Sequence, residues 1–127
     1  MLRCALLLAA SLLAALSTAS AQEARPFPAN ALRGVLVVTD PPEVLMNGRT
    51  ARLSPGSRIR GANNMLQMSG ALVGQNLLVH YTRETSGLVH NVWILNAAEA
   101  SRRPWPSTPE QAASWLFDPA AQTWTRP

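Results

Sequence analysis

The order of apolar and polar side chains over residues 32–96 predicts strands. Residues 33–39 (RGVLVVT) are a β-branched run closed by Asp40-Pro41-Pro42. Val35 and Val37 share one face, Leu36 and Val38 the other. That pattern predicts a strand buried on both sides, either central or covered by another part of the chain. Glu43-Val44-Leu45-Met46 and residues 49–53 flank Asn47-Gly48. Asn-Gly between short strands predicts a type I′ turn, because both turn residues need positive φ. A two-residue loop sets Met46 opposite Arg49 and Glu43 opposite Arg52. The second pair is an exposed ion pair worth about 0–1 kcal/mol. Ser54-Pro55-Gly56 predicts another turn, and residues 57–60 and 65–68 predict weak strands around 61–64.

The longest hairpin signal is NLLVHYTR (76–83) and LVHNVWIL (88–95) around Glu84-Thr85-Ser86-Gly87. Thr85-Ser86-Gly87 suits a three-residue loop ending in a left-handed glycine. This register pairs Tyr81 with Asn91, His80 with Val92, Val79 with Trp93 and Leu77 with Leu95. It gathers Leu77, Val79, Tyr81, Val89, Trp93 and Leu95 on one core face. Residues 32–96 thus predict about seven short strands in a mainly β fold, a small barrel or sandwich. A barrel, OB-like or SH3-like, is preferred, because closure removes edges that no helix would cover.

Residues 97–127 form a Trp- and Pro-rich tail. Thr108-Pro109-Glu110-Gln111 is a helix start, with Thr as N-cap, Pro at N1 and Gln closing a capping box. The predicted short C-terminal helix covers 109–117 and ends near Asp118-Pro119. Residues 122–125 suit a short strand. Residues 22–31 hold Pro26 and Pro28 without periodicity, which predicts a flexible leader.

The first 21 residues change how composition is read. Arg3, an apolar run over 5–16 broken only by Ser11, and Ala19-Ser20-Ala21 follow the grammar of a cleavable signal peptide. The run is shorter than the about 20 apolar residues that a spanning helix needs. The expectation is a signal-peptide helix, cleavage after Ala21, no membrane span afterwards, and a periplasmic or secreted location. Cleavage removes Arg3 and the single cysteine, Cys4. That leaves ten arginines against seven acids, a net charge of +3, and no disulfide. Some 106 residues remain, enough for one domain. The arginines and acids are interspersed rather than clustered, which argues against nucleic acid as a partner.

Little in the sequence carries chemistry. His80 and His90 become diagonal neighbours opposite the core face in the register above. They are the candidate metal ligands, although a metal needs three or four. Beyond residues 1–21 no cysteine, G-x-S-x-G or convergent Ser/His/acid set is present, so a non-enzyme without cofactor is expected. Arg49, Arg52, Arg58 and Arg60 fall on neighbouring strands and are the candidate anion-binding patch, with a solvated polar face as the plain alternative. Trp105, Trp115, Phe117 and Trp124 are candidates for docking a protein partner. The alternative is a tail that folds back and covers the barrel.

Gly34-Val35-Leu36-Val37, Asn47-Gly48-Arg49, Leu72-Val73-Gly74-Gln75-Asn76-Leu77-Leu78-Val79-His80-Tyr81 and Gly87-Leu88-Val89-His90-Asn91-Val92-Trp93-Ile94-Leu95 together resemble the small exported β-barrel domains of proteobacterial envelope proteins. The resemblance covers roughly residues 32–99. It implies a small barrel with a non-catalytic role and carries over no active-site residue. The resulting expectation is an exported binding or interaction module, its partner an envelope protein or an anionic envelope ligand. A small-ligand or metal carrier using the His80/His90 face is the alternative.

Overall fold

The computed structural model describes residues 25–127, so the expected signal peptide and its cleavage site lie outside the described residues. The fold is mainly β. Strands β1 (Leu32–Asp40), β2 (Glu43–Met46) and β3 (Arg49–Arg60) form an antiparallel meander, and β5 (Leu77–Arg83) and β6 (Val89–Ile94) form a hairpin. The sheet order is β2-β1-β5-β6-β3-β4, and β2 also pairs with β3. That second pairing closes five strands into a barrel. β4 (Leu66–Gln67) is an appendage on β3. The parallel contact of β3 with β6 comes from the crossover through residues 61–76. A three-strand meander, a crossover and a final hairpin is the connectivity of an OB-type barrel.

The Asn47-Gly48 turn forms as the sequence requires, with φ of 54° and 78°, and Glu43 lies opposite Arg52. The barrel core is Leu32, Leu36, Val38, Val44, Met46, Leu53, Ile59, Leu72, Val79, Tyr81, Val89 and Val92. Gly34 faces this core where β1 crosses close to its neighbours. A Cβ there would lie 2.9 Å from Asn47 Oδ1 and 3.0 Å from both Met46 Sδ and Tyr81 Cε1.

Four expectations are corrected. Ser54-Pro55-Gly56 is not a turn: β3 runs through it with a register shift between Leu53 and Arg58, a position where a bulge tolerates proline. The β5–β6 register holds only beside the loop, where Arg83 faces Val89. Two residues, His90 and Asn91, then oppose Thr82 alone, and beyond them Tyr81 faces Val92 and His80 faces Trp93. This bulge turns Val92 and Ile94 inward and moves Trp93 and Leu95 to the outer face. The outer face of β1 is only partly covered, with Val35 41% exposed. Residues 25–31, expected to be flexible, are packed: Phe27 and Ala31 are buried in a second cluster with Trp105 and Trp124.

This second layer seals the outer side of β5 and β6. The tail begins with α1 (Ala97–Ala100), held by a reciprocal capping box between Asn96 and Glu99. Helix α2 (Pro109–Ser114) starts at Thr108 as the sequence predicts, but it stops three residues short of 117. Residues beyond it form a hairpin, β7 (Leu116–Asp118) with β8 (Thr123–Thr125), which stacks Phe117 on Trp124 with centroids 4.7 Å apart. Strand geometry puts both rings on one side, against Trp105. Gln122 ties leader to tail: its Oε1 accepts from the Phe27 amide at 2.9 Å. Arg25 ties leader to barrel. Its guanidinium makes a bidentate ion pair with buried Glu99 and donates to the carbonyls of Gly61 and Ile94, each at 2.8 Å.

Candidate functional site

The outer face of β3 carries a cleft of about 650 Å³. Its floor is Arg52–Ser57, its walls Pro41-Pro42 on one side and Leu88 on the other, and Ser69 closes it. The Leu53 amide donates to the Pro42 carbonyl at 2.9 Å, which fixes the β1–β2 loop against the strand. The β5–β6 loop is fixed by a reciprocal turn. Glu84 N donates to Leu88 O at 2.8 Å and Gly87 N to Glu84 O at 2.9 Å. The cleft thus lies between these two loops, on the face of the third strand.

The four candidate arginines divide. Arg52 and Arg58 are exposed and Arg60 half-buried along β3, outward because Leu53 and Ile59 point into the core. Arg52 lines the cleft and pairs loosely with Glu43 at 3.5 Å. Arg60 donates to the Asn64 carbonyl at 3.5 Å. Arg49 leaves the group. It lines a separate cavity of about 540 Å³ with Tyr81, Arg83 and Glu110, beneath the start of α2.

The expected histidine pair does not form a metal site. His90 lies beside the β3 cleft: Ser54 Oγ and Glu84 Oε1 both approach its Nδ1, at 2.9 and 3.3 Å. This brings together a serine, a histidine and an acid that are far apart along the chain. A catalytic relay needs the serine on one ring nitrogen and the acid on the other. Here both share Nδ1, and Ser54 is 3% exposed. The cluster therefore braces the β5–β6 loop against the β3 bulge.

His80 lies three register positions away, opposite Trp93, and is 1% exposed. Trp105 stacks on it and Phe27 meets it edge-on at 4.4 Å. The Arg33 guanidinium lies 3.1 and 3.2 Å from its Nε2 and can only donate, so that nitrogen is an acceptor and the proton sits on Nδ1. Nδ1 has no partner. Burial, then the charges of Arg33, Arg25 and Arg102, lowers the His80 pKa to about 3. A ring surrounded by guanidinium groups is a poor cation ligand. Among the described residues no group of three His, Cys, Asp or Glu side chains is placed to hold a metal.

The aromatic docking candidates are mostly spent inside the molecule. Trp105 and Trp124 are 6% and 5% exposed, and Trp105 Nε1 donates to the Ala31 carbonyl at 2.9 Å. Trp115 and Phe117 are half-buried against the same cluster. The tail covers the barrel.

No protein-family model, no curated protein and no solved structure matches this chain. The cleft residues Ser54, Ser57, Ser69, Pro41, Pro42 and Leu88 were not legible as a site. One signal was present in the sequence: between Glu43 and Glu84 there is no acid, while five arginines fall in that stretch. The charged residues of β3 to β5 are therefore all arginine, a local departure from the interspersed charge of the chain as a whole.

Proposed function

We propose that this protein is a non-enzymatic, exported binding module that takes an acidic, hydroxyl-bearing polymer, an acidic glycan, in the cleft on β3. The observation that carries the reading is the cleft itself. Arg52, Ser57 and Ser69 line it, while the buried Ser54 hydroxyl is held by His90 and the loops on both sides are anchored by backbone hydrogen bonds. Guanidinium groups recognise carboxylates through paired donors, and serines match ligand hydroxyls as donor or acceptor. Arg58 and Arg60 continue the positive face along the strand, which suits a repeating anion longer than the cleft. Export is supported by the signal-peptide grammar of residues 1–21 and fits an extracytoplasmic glycan.

Calorimetric titration with oligogalacturonate tests the reading. Saturable binding is expected, weakened at least tenfold in Arg52→Gln and in Arg58→Gln and absent with a neutral maltooligosaccharide. Equal affinity for the neutral sugar, or for a single-stranded oligonucleotide, would contradict the assignment.

A further inference from the structure

A second concentration of positive charge lies on the tail layer, away from the β3 cleft. Arg33, Arg103 and Arg126 line one small cavity of about 230 Å³ together with Pro104 and Trp105. Among the described residues no carboxylate lines it. Among the described residues neither Arg103 nor Arg126 makes an ion pair, and the nearest buried acid, Glu99, is taken by Arg25. Like charges gathered without a counter-charge repel, and the closeness of Arg103 helps to lower the Arg33 pKa, after burial.

Two of the three are held in place. The Arg33 guanidinium lies over Trp105 at 5.7 Å and donates to the Glu99 carbonyl at 2.9 Å, to the Ala100 carbonyl at 3.3 Å and to His80 Nε2. These acceptors are neutral, and the Glu99 carboxylate, shared with Arg25, offsets its charge only in part. The Arg126 guanidinium lies over Trp115 at 5.2 Å. A guanidinium fixed on an aromatic face keeps its edge donors free and loses little side-chain entropy on binding. Arg103 is exposed and follows α1 directly.

We propose that Arg33, Arg103 and Arg126 form a binding site for a phosphate dianion, free or as a monoester. Arg103 and Arg126 supply the forked donors that phosphate oxygens match, and half-buried Arg33 supplies fixed charge at the back. The cavity holds a single compact anion group. A phosphodiester carries one charge fewer and a second substituent, so it fits the three cations less well.

The test uses the intact protein, with inorganic phosphate, glycerol 3-phosphate and dimethyl phosphate as probes in calorimetry. The first two should bind with one-to-one stoichiometry and dimethyl phosphate at least tenfold more weakly. Tighter binding of glycerol 3-phosphate than of phosphate identifies a monoester as the ligand, and the reverse identifies the free anion. Arg103→Gln and Arg126→Gln should each weaken phosphate at least tenfold with unchanged melting temperatures, since both side chains are exposed. Arg52→Gln should leave phosphate binding untouched, which separates this site from the glycan cleft. Phosphate binding that is absent in the parent protein, or unchanged in the double variant Arg103→Gln/Arg126→Gln, would overturn the proposal.

Discussion

Trp105 lies flat on His80, ring centroids 4.0 Å apart and planes 21° from parallel. One ring comes from the tail and the other from the outer face of β5, so this stack joins the two layers of the molecule. It requires His80 to be neutral. An imidazolium there would sit buried beside the Arg33 guanidinium, with the charges of Arg25 and Arg102 adding to the repulsion.

Stability should therefore depend on pH through this residue. An unfolded histidine titrates near about 6.5, and His80 in the fold near about 3. Between those values the unfolded chain binds more protons, so stability rises with pH across the window. The contribution is complete above about pH 6.5 and is lost as pH falls toward 3. By pH 5 the loss from this one group is about 2 kcal/mol. Urea unfolding at pH 7 and pH 5 reads it. In His80→Phe, which keeps an aromatic ring but cannot titrate, most of the difference should vanish. An unchanged difference would exclude His80 as its source.

The buried pair of Arg25 and Glu99 makes a second expectation. Removing one partner leaves the other charge desolvated, so Arg25→Met should cost about 3–5 kcal/mol. Glu99→Gln should cost a similar amount while keeping an oxygen for the Asn96 amide. The double variant should be more stable than the sum of the single losses, since no orphan charge remains. Additive losses in denaturant unfolding would show that the pair is not coupled.

The tail should behave as core. Trp124→Ala removes a 5% exposed indole from a cluster of six linked rings and should cost about 3–5 kcal/mol. Tryptophan emission of the isolated monomer should be that of buried indoles. A solvent-exposed spectrum, shifting only when a partner is added, would restore the docking role for Trp105 and Trp124.

Gly34→Ala tests the close approach inside the barrel. The added methyl would press on Asn47, Met46 and Tyr81 at once, and overpacking of that kind costs about 1–3 kcal/mol. A melting temperature equal to the parent's would mean that β1 can shift to make room.

Legibility in the sequence followed the range of the interactions. The Asn47-Gly48 hairpin and the Thr108 cap depend on residues within a few positions, and both were readable. Barrel closure was readable as a preference, because a chain with many short strands has edges to hide. The bulge at His90-Asn91 was not. Either register keeps alternating apolar residues near the core, and only the tail's need to bury Trp93 and Leu95 selects between them. The packed leader was hidden for a related reason: Arg25 and Phe27 find their partners, Glu99 and Gln122, more than seventy positions away. The β3 cleft shares that cause, since Pro41, Ser54, Ser69 and Leu88 meet only once the barrel has closed.

The tail seals one face of the barrel, and in the proposed function β3 is the face left to bind. Amide and indole NMR shifts of the protein during titration with oligogalacturonate test it directly. Changes should concentrate at Arg52, Ser54, Ser57 and Leu88, with the Trp105 and Trp124 indoles unmoved. Changes centred on those indoles, with β3 silent, would contradict it.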